Sequence, residues 1–121
     1  MTREEFPEIL IREFPPIEAE VHDNDGLLHM QMGDFAVVMQ RTIDEADWPG
    51  LKRCVHPALR VWQAGDPYLR NALSVACLEH LAFAGVTGQQ AFAMLTRELR
   101  EEWEKLDRFQ GSLSGRPGKR R

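Results

Sequence analysis

Glu79 is the residue that asks most of its surroundings. It sits in the run Val75-Ala76-Cys77-Leu78-Glu79-His80-Leu81-Ala82-Phe83. At about 100° per residue, a helix places it among Ala72, Val75, Ala82 and Phe83, away from Arg70, Asn71 and Ser74. A carboxylate on an apolar face is either hydrogen-bonded or driven towards its neutral form, because burying it charged and alone costs too much. Two roles follow. Glu79 is a structural carboxylate that fixes helix register, or a general acid or base in a cleft shared with His29 and His80.

Other chemistry-bearing residues are sparse. Cys54-Val55-His56 offers two metal-ligand types, with His80 a third if the fold brings it close. Zinc sites use closer, repeated pairs such as CxxC or HxxxH, and the sequence has neither, so no metal or other cofactor is expected. Cys77 lies in an apolar run and reads as a small hydrophobe, and Cys54 has no identifiable base beside it. His22-Asp23-Asn24-Asp25-Gly26 resembles a fragment of a calcium loop. It lacks the acid at the twelfth position, and Leu27-Leu28-His29-Met30 supplies no further ligands, so an acidic turn is the better reading. No phosphate-binding loop, nucleophile elbow or zinc-binding helix occurs, and no residue is assigned as catalytic.

The elements that would position these residues are helical. Thr2-Arg3-Glu4-Glu5 is a capping box that starts a helix at residue 3, with Phe6, Ile9, Leu10 and Phe14 at helical spacing and Pro15-Pro16 as its stop. Ile17 to Val21 forms a short helical turn. Leu27 to Met32 alternates like an extended stretch, and Gly33-Asp34 reads as a helix start with Asp34 as N-cap. Phe35, Val38, Met39, Thr42 and Ala46 form the stripe of that helix, which stops before Trp48-Pro49-Gly50. A further helix covers Leu51 to Ala64, kinked at Pro57. Gly65-Asp66-Pro67 separates it from the most apolar helix, Pro67 to Ala84, closed by Gly85. Thr87-Gly88-Gln89-Gln90 is a second capping box, opening a helix to about Phe109 with Phe92, Leu95, Leu99, Trp103 and Leu106 inward. The fold class is therefore all-α: a single compact bundle of about five helices, the central one (67–84) in an antiparallel hairpin with 51–64. Residues 1–109 form the domain, and the glycine-rich basic tail, 110–121, reads as disordered.

A chain of 121 residues has room for one such domain. No apolar run approaches the roughly 18 residues of a membrane span, and the acidic start MTREEFPEIL is unlike a secretory signal. With two cysteines, cytoplasmic residence is the expectation. The net charge of −4 hides an asymmetry: residues 1–34 hold nine acids against two bases, while residues 35–121 hold ten acids against thirteen bases.

The segments LLHMQMGDF and AGDPYLRNALSVACLEHLAF, with the amino-terminal EEFPEILIREFPP, resemble a family of small, uncharacterised bacterial helical proteins. These carry a His-x-x-x-Gly-Asp element (here His29, Gly33 and Asp34) followed by a helical hairpin ending in Leu-Glu-x-Leu (Leu78, Glu79 and Leu81). The resemblance spans about residues 3–106. It implies a role like that of toxin-immunity proteins and an internal polar cluster of His29, Asp34 and Glu79; it brings no catalytic residues.

The leading functional expectation is thus a protein-binding immunity protein that neutralises a bacterial toxin domain by direct occlusion. Many such domains act on nucleic acids or nucleotides through basic clefts, which an acidic surface would steer towards. The expected contacts are Glu18, Glu20, Asp23 and Asp25, with Trp48 as an aromatic anchor. One alternative is a small enzyme with a pocket around Glu79, His29 and His80. Another is a nucleic-acid accessory protein using Arg116, Lys119, Arg120 and Arg121, which ranks last because the rest of the chain is acidic.

Overall fold

Thr2 and Glu5 close a reciprocal capping box: the Thr2 amide donates to Glu5 Oε1 at 2.7 Å, and the Glu5 amide donates to Thr2 Oγ1 at 3.3 Å. Helix α1 (Glu5–Glu13) follows and buries Phe6, Ile9 and Leu10. Pro15-Pro16 interrupts it with a short 3-10 turn, and α2 (Glu18–Asp23) turns Val21 inward. Gly26 adopts a left-handed φ of 78°, a conformation that costs glycine little, and so lets the chain reverse into the next helix. The computed structural model describes residues 1–114, with side chains through Phe109.

Helix α3 (Leu28–Asp44) corrects the expected start at Asp34. Leu28, Gln31 and Met32 continue inward on the same face as Phe35, Val38, Met39 and Thr42, so the apparent alternation is the first two turns of a helix. Gly33 and Asp34 lie in its interior. A mid-helix glycine costs about 0.5–1 kcal/mol relative to alanine, less than the burial gained by running this apolar face unbroken. Asp34 is not a cap: its Oδ2 accepts from Asn24 Nδ2 at 2.9 Å, tying α3 back to the preceding turn. Ala46, expected in the inward stripe, is exposed in the tight turn that follows, with φ 54°.

The same turn starts α4 (Trp48–Ala64) three residues earlier than expected. Asp47 caps it by accepting from the Gly50 amide at 3.0 Å, and a Cβ at position 50 would collide with that carboxylate. Gly65-Asp66-Pro67 acts as the sequence predicts: Asp66 accepts from the Leu69 amide at 2.8 Å, with Pro67 in the first turn of α5.

Helix α5 (Pro67–Ala76) ends eight residues before the expected Ala84. A 3-10 turn (Leu78–His80) and an extended segment replace its second half. Side chains from other helices satisfy the freed backbone. The Ala82 amide donates to Gln40 Oε1 at 2.8 Å and Gln40 Nε2 donates to Ala82 O at 3.1 Å, while Trp103 Nε1 donates to Leu81 O at 3.1 Å. Gly85, at φ 70°, opens α6 (Gly85–Met94) instead of closing a helix. Thr87 and Gln90 fall inside α6, and the long terminal helix divides at Leu95-Thr96. Thr96 Oγ1 accepts from the Leu99 amide at 3.4 Å ahead of α7 (Arg97–Ser114).

The described residues therefore form seven α-helices, not about five, and no strand. The central element is α3, which packs against α2, α4, α5 and α6, and not the 67–84 segment. Helices α4 and α5 pack together as successive elements, but the second is too short for the hairpin expected. At one end of the core Phe6 meets Phe35 edge-on at 5.8 Å; at the other, Phe83, Phe92 and Trp103 form an edge-to-face trio with centroids 5.2–5.4 Å apart. Helix α7 continues through residues 110–114, and residues 115–121 of the predicted tail, with Arg116, Lys119, Arg120 and Arg121, lie outside the described residues.

Candidate functional site

Helix α1, helix α2 and the first turns of α3 leave an open groove of about 440 Å³ between them. Pro7 and Ile11 of α1 form one wall, and Val21 and Leu28 form the other. At the base lies Gln31, only 3% exposed. Its Nε2 donates to Val21 O at 3.2 Å, which fixes the carboxamide plane.

The rim is charged. Glu8 and Asp25 line it and have no ion-pair partner among the described residues. The two basic side chains on the same rim, Arg3 and His22, are engaged elsewhere. Arg3 lies 4.7 Å over the Tyr68 ring and 3.8 Å from Glu4, and His22 Nε2 lies 3.3 Å from Glu18 Oε2. Outside the groove, Glu18, Glu20 and Asp23 are exposed on α2. The four carboxylates expected to meet a partner thus share one short helix and its following turn, with Asp25 also facing the groove.

Trp48 does not join them as an exposed anchor. It is half-buried at the start of α4, packed against the core. The exposed apolar side chains near the acids are ones the sequence reading missed: Leu27 (54%), Met30 (56%) and Val37 (59%), with Tyr68 (45%) beside them against His29. Their spacing of three and seven puts Leu27, Met30 and Val37 on one side of a helix, opposite Met32, Phe35 and Met39. That signal appears only once residues 28–33 are read as helical.

A second groove of about 550 Å³ runs along this stripe, between α3 and the end of α5, and is lined by Met30, Val37, His29, Asp34, Gln40 and His80. It brings two of the proposed histidines to one surface. Glu79 does not line it; it is half-buried in the 3-10 turn after α5. His29 meets the Tyr68 ring edge-on at 5.5 Å, and Asp34 is held by Asn24.

Neither cysteine carries nucleophilic chemistry. Burial pushes the Cys54 thiol up to about 12 and raises that of Cys77 as well, so both are protonated at neutral pH. Among the described residues, no group of three or more His, Cys, Asp or Glu side chains is placed to hold a metal ion. No helix among them is long and apolar enough to cross a membrane. The chemistry these surfaces offer is recognition, through exposed carboxylates and exposed apolar side chains.

Residues 5–111 match the model of a family described as a domain of unknown function, DUF7674. The chain belongs to this family. No curated protein and no solved structure matches the chain. The family match covers all seven helices except the last residues of α7, so both grooves lie within the DUF7674 region.

Proposed function

We propose that this DUF7674 protein is a binding protein of the immunity type, which neutralises a bacterial toxin domain by covering its working surface. The observation that carries this reading is the grouping of Glu18, Glu20, Asp23 and Asp25, all exposed and none within ion-pair distance of a described lysine or arginine. Acidic charge gathered on one face raises the rate at which an oppositely charged cleft is met, while adding less to the strength of the final complex. Final strength comes from apolar groups that lose water, and here Leu27, Met30 and Tyr68 take the part first given to Trp48. The resemblance to toxin-immunity proteins supports the same reading, and a cytoplasmic location fits it.

The experiment reads the genes that flank this one and co-expresses the chain with the carboxy-terminal domain of any secreted protein they encode, followed by purification and a toxicity assay. The expected result is a stoichiometric complex in which the toxic activity is lost. Absence of a complex at micromolar concentrations of both proteins overturns the proposal.

A further inference from the structure

One face of α3 carries apolar side chains into water. Met30, Asp34, Val37, Arg41 and Asp44 follow one another at alternating spacings of four and three, which sets them on one side of the helix, opposite Met32, Phe35 and Met39. Met30 and Val37 are more than half exposed, and Arg41 and Asp44 are exposed beside them. Gly33 lies on the flank of this face. A Cβ there would meet no described neighbour within 4 Å, so packing within the fold does not require a glycine at this point. A mid-helix glycine weakens its helix, and the use that remains for it is close approach of a second body from outside.

We propose that this face pairs with itself, so that two copies of the chain meet in an antiparallel α3–α3 contact about a two-fold axis. The charges select both the occupant and the sense. Asp34 accepts from the neutral Asn24, which leaves its charge uncompensated, and Arg41 has no ion-pair partner among the described residues. Two such helices side by side in the same sense would set Asp34 on Asp34 and Arg41 on Arg41. Reversed, with the axis between residues 34 and 37, Val37 of one copy lies over Gly33 and Asp34 of the other, and the stem of Arg41 covers Met30. Arg41 then stands one helical turn, about 5–6 Å, from the other copy's Asp34, within reach of its side chain. Each contact occurs twice by symmetry. Alternating spacings of four and three form the seam along which helices pair, and charged residues within it fix register at a cost in affinity. The inference goes beyond the binding-protein reading and does not depend on it.

The test follows the mass of the full chain by sedimentation velocity from about 5 µM to about 500 µM. A reversible dimer is expected, with a dissociation constant of roughly 10–100 µM, as suits a contact of one helix from each copy. Added salt should weaken it by screening the two ion pairs. Val37→Asp should weaken association by about tenfold or more. Gly33→Leu is the sharper variant. It should keep or raise the melting temperature, because leucine is the better helix former, and still weaken association by about tenfold or more. Asp34→Arg and Arg41→Asp should each be monomeric alone, through like charges, yet form a heterodimer when mixed, because both cross pairs then set arginine against aspartate. Each variant is checked for the parent's circular dichroism; if Asp34→Arg fails to fold, the Val37 and Gly33 variants still decide.

A chain that stays monomeric at about 500 µM overturns the proposal and leaves the α3 face to a different protein. A dimer that Val37→Asp and Gly33→Leu leave intact uses another face and overturns it equally. Failure of the two folded charge variants to associate on mixing removes the Asp34–Arg41 pairing on which the proposal stands. No toxin domain is needed, so this proposal and the immunity reading fail separately.

Discussion

The two ends of this molecule treat their polar groups in opposite ways. Around α6 and α7, polar atoms turn towards one another. Gln40 holds Ala82 by both amide positions, Trp103 donates to Leu81 O, Arg100 Nη1 donates to Leu95 O at 2.7 Å, and Ser74 Oγ donates to Glu102 at 2.9 Å. Even the outer face of α7 is partly self-paired, with Arg97 3.4 Å from Glu101. Around α1, α2 and the start of α3, Glu8, Glu20, Asp23 and Asp25 have no ion-pair partner among the described residues, and the stripe of Leu27, Met30 and Val37 lies in water. The first arrangement contributes to stability, whereas these four exposed acids contribute little within the fold. A surface left unsatisfied next to a well-satisfied body is where a partner has something to add.

That contrast can be broken most easily at its well-satisfied end. Trp103→Ala removes the middle of the aromatic trio and the donor to Leu81 O, and should cost about 3–5 kcal/mol in chemical denaturation. A loss below 1 kcal/mol would mean that this end does not hold the fold. Gln40→Ala leaves the Ala82 amide and carbonyl to water, at an expected cost of about 1–3 kcal/mol. Hydrogen exchange should report it first at Ala82, with the α1–α2 region unchanged.

Gln40 also shows where sequence reasoning stops. Local signals were legible: the Thr2–Glu5 box, the stop at Pro15-Pro16 and the Gly65-Asp66-Pro67 break all stand as read, because each depends on residues within one turn. The ends of α5 and α6 were not, since what unwinds residues 77–84 is a glutamine 42 positions away and a tryptophan 22 positions away. Glu79 falls on an apolar helical face only if that helix continues past Ala76, where α5 ends. The candidate site divides in the same way. Its carboxylates were visible from charge alone, while the base at Gln31 and the stripe at Leu27, Met30 and Val37 needed α3 to begin at Leu28.

Smaller effects sharpen the contrast. Asp66→Ala removes the cap of α5 and should cost about 1 kcal/mol by the same denaturation measurement. Acid should act on α1 through Glu5, whose carboxyl is held below the ordinary 4.5 first by the Thr2 amide and then by its hydroxyl. A depressed carboxyl contributes stability above its ordinary pKa and loses it as pH falls through the lowered value. Melting temperature should therefore decline below about pH 4.5 less steeply in Glu5→Gln than in the parent.

The most direct test compares association rates at several salt concentrations for the parent and an Asp23→Asn/Asp25→Asn variant, binding whichever toxin domain the co-expression experiment identifies. If the acidic face meets the partner, the variant keeps its melting temperature, associates about tenfold more slowly at low salt and loses much of the salt dependence. An unchanged rate with an unchanged salt slope would contradict the assignment of this face to binding.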